Sequence, residues 1–532
     1  MIKIVALNSK YVHTLLSPYY LKENCDFKDK IQIVQSNINL SIEDIYALAM
    51  ENNPKVIALP CYIFNINCVV ELSKLIKKRN PQTIIVFGGP EASFEYDNLL
   101  EIADIVIVGE GEIAFNQMVF ELEKADYKLE NKKVYKGKSI NFSDLKSPYS
   151  IDYFKDVEGK IAYFEASRGC PYSCAYCMSG GDGLRCFTLE RTFAELEKFK
   201  GKNIRVLKFV DRTFNAKKSF AKEILRFLIE NCKDYSFGFH FEIAADILDD
   251  EFIDIVKKSP KGLFQFEVGV QSFNEKTLGS VVRKTNLSKL TDNLSKLIAT
   301  KKSHIHTDLI AGLPYEDYQS FVEGFNKLYK LKSDMLQLGF LKVLKGSALT
   351  NMLDDGYKYS SIAPYEIIST PYISEIELQL LKYAEEGCDK YYNSGLFKNT
   401  LNFFVKNPYD FYLNIGKLIY GKTLSLFDRI EILFVYLCQY YDFKIVKGIM
   451  TLDYISTNNS RILPPCLKFD YDKNFAKLLK QVGIDKKRYF AVKVDINPKD
   501  FSEGKFLLYV DYSQGYNIEY INLDEVKIAD ES

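Results

Sequence analysis

The stretch Ala166-Ser-Arg-Gly-Cys-Pro-Tyr-Ser-Cys-Ala-Tyr-Cys177 puts Cys170, Cys174 and Cys177 into one short loop, with three residues and then two between them. Three thiolates at that spacing can hold three irons of a four-iron–four-sulfur cluster. Clusters of that type ordinarily take four cysteines, so a three-cysteine loop leaves one iron open to a ligand that is not protein. A zinc knuckle is the competing reading, and it needs a fourth Cys or His close by. Cys186, nine residues on, is the nearest candidate, at a spacing that fits no zinc pattern.

Further groups able to do chemistry recur with a period of two in strand-like segments. Gly238, His240 and Glu242 share one face of a segment whose other face is Phe237, Phe239, Phe241 and Ile243. Gln265, Glu267 and Gln271 oppose Phe264, Phe266, Val268 and Val270, and His304, His306 and Asp308 line up in the segment after that. Alternate residues of a strand face opposite sides, so the apolar rows meet covering helices and the polar rows face inward. A barrel that fills itself has branched apolar residues there. Polar rows therefore predict a lumen holding ligand and water; a hydrogen-bonded polar layer without ligand is the alternative, since unpaired buried charge is costly.

The elements that must carry these groups are six units of strand, loop and helix, starting at Ile161: IAYFEAS, IRVLKFV, SFGFHFEIA, LFQFEVGV, HIHTDLIA and MLQLGFLKV are the strands. Six such units predict a partial parallel βα barrel over 159–352, with its chemistry at the carboxyl ends of the strands. Ahead of it, IKIVALN, IQIVQSNIN, KVIALPCYIFN, TIIVFGG and IVIVGEGE alternate with helical segments, one of them capped by Ser41. That predicts a doubly wound parallel sheet over 1–125, with any ligand beyond the strand ends. Asn8, His13, Cys61, Tyr62, Gly88, Gly89, Gly109 and Glu110 fall there. Glycine after a strand lets a ligand approach the backbone, or simply makes a tight turn. No G-x-G-x-x-G follows the first strand, which argues against a dinucleotide site. Residues 126–158 read as a linker with a short β-ribbon, and 353–532 as an α+β domain with a helix stopping at Gly395 and strands near the end.

The cysteine spacing, with Tyr176 directly before the third cysteine, resembles that of the radical S-adenosylmethionine (SAM) enzymes. Gln271 in Gly-Val-Gln-Ser, Arg283 twelve residues later and Asp308 in Asp-Leu-Ile-Ala-Gly-Leu-Pro resemble the SAM-binding set of the oxygen-independent coproporphyrinogen oxidase group. By that resemblance Gln271 and Asp308 contact the ribose and Arg283 meets the methionine carboxylate. Glu242 holds the ribose or methionine end, Asp211 and its neighbouring backbone hold the amino group, and Tyr176 and the backbone near Met178 meet adenine. The first 125 residues resemble the cobalamin-binding domain attached to many of these enzymes, with the nucleotide tail of cobalamin along the sheet and the corrin over the strand ends. Members that ligate cobalt carry Asp-x-His-x-x-Gly after the first strand; here Tyr11 and Leu16 flank His13 in place of the Asp and Gly. The C-terminal third resembles the tail of a branch of the same cobalamin-type enzymes.

The resemblance implies three cofactors: a four-iron–four-sulfur cluster, SAM and cobalamin. It implies a reaction in which a 5′-deoxyadenosyl radical takes hydrogen from an unactivated carbon and a methyl group follows. Rearrangement, cyclisation or oxidation with the same cofactors is the second enzyme reading, and an electron carrier or redox sensor the non-enzyme one. A flavodoxin- or ferredoxin-type donor is the expected electron source. Lys plus Arg equals Asp plus Glu, 70 each, so charge gives no case for nucleic acid or a membrane surface. The start, MIKIVALNSK, reads as a strand rather than a signal peptide, and no apolar run is long enough to span a bilayer. Eleven cysteines scattered along such a chain predict a reducing, cytoplasmic setting and a small-molecule or other substrate.

Overall fold

The computed structural model describes residues 1–181, 183–469 and 473–526. Two compact units emerge, one of residues 1–324, 331–333 and 339–375, the other of 325–330, 334–338 and 376–532.

The first unit opens with β1 (Ile2–Asn8), β2 (Ile31–Asn37), β3 (Val56–Pro60), β4 (Ile84–Gly88), β5 (Ile105–Val108) and β6 (Lys133–Lys136), ordered 2-1-3-4-5-6 and all parallel. Both faces are buried, which is why these strands read as continuous apolar runs. Val5, Leu7, Ile57, Leu59, Ile85 and Phe87 pack in one layer with helix Ile66–Arg79. Ile4, Val56, Ala58, Val86 and Ile107 pack in the other with helix Gly111–Lys124. The predicted cap holds: Ser41 accepts from the Asp44 amide. One segment differs from its expectation. Lys133–Lys136, read as part of a linker ribbon, is the sixth strand of this sheet. Only Tyr135 of its four residues is buried, so an edge strand of this length carries almost no apolar signal.

The second sheet has the order 14-13-12-11-10-7. Its strands are β7 (Ile161–Phe164), β10 (Val206–Phe209), β11 (Gly238–Ile243), β12 (Phe264–Gln271), β13 (His304–Ala311) and β14 (Met335–Phe340), the six expected from the repeat. Between β7 and β10 lies an antiparallel hairpin that the pattern did not announce, β8 (Ser167–Cys170) with β9 (Gly183–Cys186). Two four-residue strands holding Ser, Arg, Gly and Cys give no alternation to detect.

The other unit is α+β, as expected. Helices Glu375–Gly387, Pro408–Ile419, Leu426–Leu437 and Phe443–Thr457 are followed by a three-stranded antiparallel sheet of Phe490–Ile496, Glu503–Val510 and Ile518–Asn522. Gly395 has a φ of +67°, the left-handed turn that suits glycine. No helix of the described residues is long and apolar enough to cross a membrane.

Candidate active site

Hairpin β8–β9 sets the cysteine loop at the carboxyl end of β7. Asp211 anchors its start: the Ala166 amide donates to Oδ2 at 3.1 Å and the Ser167 hydroxyl to Oδ1. Gly169 has a φ of +87°, and a Cβ there would lie 2.0 Å from the Gly183 carbonyl, so the two strands close only over glycine. Beyond Cys170 the loop is tied by the Ala175 amide to Val281 O and by the Leu349 amide to Ala175 O. Cys170 is buried, Cys174 and Cys177 are half-buried, and none is in a disulfide. Cys186 pairs with Ser167 at the hairpin's far end. The loop thus offers three thiols and no fourth protein ligand of its own.

Beside the loop is a cleft of about 140 Å³ lined by Cys174, Glu242, Glu267, Gln271, Arg283 and Asp308 among others. Four SAM candidates, Glu242, Gln271, Arg283 and Asp308, meet there. Gln271 takes a φ of +69° just past a register shift in β12. Its Oε1 and the Nε of Arg283 are buried with no hydrogen-bond partner among the described residues. Arg283 otherwise donates to Gly269 O at 2.5 Å and to the Tyr176 hydroxyl at 3.3 Å, with Nη1 3.8 Å from the sulfur of Cys174. Buried orphaned acceptors and donors are costly, and a polar ligand with hydroxyls and a carboxylate would satisfy them. The residues fit SAM. Three candidates stand apart from the lining. Tyr176 acts on Arg283. Met178 is half-buried in the turn after Cys177. Asp211 is 1% exposed, with both oxygens taken by the hairpin, and burial pushes its carboxyl up to about 7. Its partners make it an anchor of the cysteine loop.

The polar rows face one side in register, Lys208 beside His240, Glu242 beside Glu267, and Glu267 beside His306. They cross-link. Glu267 receives His240 Nε2 at 3.0 Å and Lys208 Nζ at 3.3 Å, and His306 Nε2 lies 2.8 Å from Asp308 Oδ1. Burial opposes ionisation of Glu267, but His240, Lys208 and His306 together overcome it and hold the carboxyl at about 2. Glu242, pushed up by burial and by Glu267, opens into the cleft. The rows are thus cross-linked by charge at this level, yet Glu242, Glu267 and Asp308 of the same rows line the cleft, and His306 Nε2 and Asp308 Oδ1 lack a well-directed hydrogen bond among the described residues. None of His240, His304 and His306 lines the cleft.

A second cavity of about 570 Å³ lies over the first sheet. Its floor is Ile4, Ala58, Val86 and Ile107. Asn8, His13, Tyr62, Gly88, Gly89, Gly109 and Glu110 line it, as expected. Gly89 has a φ of +104°, and a Cβ would meet Cys61 O at 2.8 Å. Cys61 is fully buried and its thiol donates to Leu59 O, so it lies under the lining rather than in it. His13 Nδ1 is 2.6 Å from the Tyr163 hydroxyl of β7. Burial, with Lys10 and Lys208, lowers its pKa, so the ring is neutral at neutral pH. Asn8 donates to Gln35 and Ser36 O, while its Oδ1 is buried and unpartnered. A roomy, apolar-floored groove with a glycine rim and polar groups around its walls suits a large planar cofactor with amide side chains, and the residues fit cobalamin. The sequence did not single out Tyr163, Glu165, Arg168 or Arg212, which also line it. Arg168 sits inside the cysteine motif and could have been noticed; it is 3.0 Å from Glu112 and Glu165 and 3.3 Å from Glu110. Arg185, paired with Arg168 across the hairpin, also binds Glu110.

Residues 2–119 match the B12 binding domain family, 164–328 the radical SAM superfamily, and 354–521 the family described as protein of unknown function (DUF4080). The cobalamin-dependent radical SAM methyltransferase TokK of Streptomyces tokunonensis is 29% identical over 311 residues, 52% of this chain and 45% of that protein. The 2-(S-pantetheinyl)-carbapenam-3-carboxylate methyltransferase of Streptantibioticus cattleyicolor is 26% identical over 318 residues, with the same two shares. The chain thus spans about half the length of these curated relatives. Among solved structures, the cobalamin-dependent SAM radical enzyme OxsB with aqua-cobalamin and SAM bound superposes with a TM-score of 0.58 at 14% identity, covering 91% of this chain and 75% of that one. The methyltransferase TsrM from Kitasatospora setae gives 0.52 at 14% identity, covering 68% and 78%. This likeness shows the shared fold. The chain thus carries, in order, a region that matches the B12 binding domain, one that matches the radical SAM superfamily and one that matches DUF4080.

Proposed function

We propose that this chain is a methyltransferase that acts on an unactivated carbon of a small-molecule substrate, with a flavodoxin- or ferredoxin-type protein as its electron source. When bound, the cluster and SAM supply a 5′-deoxyadenosyl radical and cobalamin supplies a transferable methyl group. The observation that carries the reading is the adjacency of two differently built cavities. The SAM cleft and the cobalamin cavity share one lining residue, Arg212, so a substrate at that junction is within reach of both. The chain's own residues then do the following. Cys170, Cys174 and Cys177 would hold the cluster, and Arg283 would meet the methionine carboxylate through its charge and its unpartnered Nε. Gln271, Asp308 and Glu242 fix the sugar and methionine end. Asn8, Tyr62 and the backbone at Gly88, Gly89 and Gly109 hold cobalamin, and His13 stays neutral beside it. The DUF4080 part is proposed to contribute to substrate choice. Residues 1–137 are proposed as the cobalamin domain, extended by β6 beyond the boundary expected from sequence.

Anaerobic protein carrying cluster and cobalamin, given dithionite, SAM labelled with a deuterated methyl, and metabolites from a deletion strain, should release 5′-deoxyadenosine and S-adenosylhomocysteine and label a metabolite. Release of 5′-deoxyadenosine without any transfer of the labelled methyl would replace methyl transfer by rearrangement or oxidation.

A further inference from the structure

Among the described residues, the other arginine facing the cobalamin cavity is already engaged. Arg168 is surrounded by Glu110, Glu112 and Glu165. Arg212 is different. It follows the buried anchor Asp211, so its backbone position is fixed by the hairpin it adjoins. Its side chain is exposed, and it makes no hydrogen bond or ion pair with a described residue. Among the described residues, it is the one that lines both cavities. A solvated arginine is ordinary on an open surface; at the meeting point of two ligand cavities it is a recognition group awaiting an anion.

We infer that Arg212 receives a carboxylate of the substrate and thereby sets the reacting carbon between the two cavities; this rests on the functional reading above. A guanidinium presents a planar fork that pairs with both oxygens of a carboxylate or phosphate. The surroundings select between them. Glu165 is taken by Arg168, but Glu242, which lines the SAM cleft, lies close enough to feel the charge of Arg212. A single guanidinium balances a monoanion, whereas a phosphate dianion would leave negative charge facing Glu242. Lys284 and Arg283 also line the SAM cleft, but neither reaches the cobalamin cavity, so their place is with SAM.

The test is arginine-selective labelling by phenylglyoxal, mapped by peptide mass spectrometry, on anaerobic protein holding cluster, cobalamin and SAM. The probes are benzoate and propionate, their matched amides, and inorganic phosphate. At about 10 mM a carboxylate that binds with a Kd of ~2 mM slows labelling of Arg212 about sixfold, while the amides leave it unchanged. Arg212 should label equally with SAM and cobalamin present or omitted. Protection by SAM or cobalamin alone would make it a cofactor ligand and overturn the inference. Equal protection by acid and amide, better protection by phosphate, or no protection by either acid would overturn it too. Protein that neither bound cobalamin nor cleaved SAM would defeat the functional reading while leaving the labelling pattern legible.

Discussion

The cleft proposed for SAM and the cavity proposed for cobalamin are built by opposite means. The cleft is written in charged side chains: Glu242, Glu267, Arg283 and Asp308 converge on it, and the row beneath is knitted by Lys208, His240 and His306. The cavity is made by subtraction. Its floor is apolar residues and its rim is glycine, one of which cannot bear a Cβ without striking Cys61 O. A compact polar ligand is recognised by partners for each of its groups, a large one by room and by backbone that can be approached. Damage to the cleft should therefore show as lost binding of one group at a time, and damage to the cavity as lost space.

The sharpest break is Cys174→Ala. SAM cleavage should fall to background while cobalamin binding persists, read by 5′-deoxyadenosine release and by cobalamin absorbance. Retained cleavage would mean another residue completes the cluster. Next, Glu267→Gln should cost about 3 kcal/mol of stability at pH 7, a bound set by a carboxyl held near 2 instead of 4.5. A lowered carboxyl stabilises above its unfolded pKa, and that contribution is lost as pH falls from about 4.5 towards 2. The gap between wild type and variant should thus narrow below about pH 4.5, and also as pH rises through the raised pKa of His306, whose proton Glu267 helps to hold, in denaturant titrations across pH. Arg283→Gln comes third, raising KM for SAM about a hundredfold, or ~2.7 kcal/mol, by removing a charge-assisted pair. An unchanged KM would take the methionine carboxylate away from it. Gly89→Ala should weaken cobalamin binding by about 2 kcal/mol through a clash and a left-handed backbone, with uncoupled SAM cleavage intact. The smallest effect is expected for Tyr163→Phe. It frees His13 Nδ1, at about 1 kcal/mol, and should raise the histidine's pKa little, as followed by NMR.

Both sheets and the six barrel strands were legible in the sequence because burial on one or both faces writes itself as a period or a run. The polar row in β11, β12 and β13 was legible for the same reason. What it meant was not: His240 and Lys208 come from different strands, and only register shows that they satisfy Glu267. Hairpin β8–β9 and strand β6 were hidden because four-residue strands with one or two buried side chains carry no pattern. Asp211 was read from a motif as a ligand contact, whereas its neighbours in space are the Ala166 amide and the Ser167 hydroxyl. Arg212 was passed over because nothing in a sequence distinguishes a solvated arginine from one at the meeting of two cavities.

The arginine pair of the hairpin has a consequence for engineering. Arg168 and Arg185 grip Glu110, which follows β5, so the strip bearing Cys170 and the turn rimming the neighbouring cavity are tied together by charge. A chimaera that swapped either half for a relative's would strand like charges against each other unless both partners were exchanged together, and the unit of transplantation is therefore the latch, not the domain.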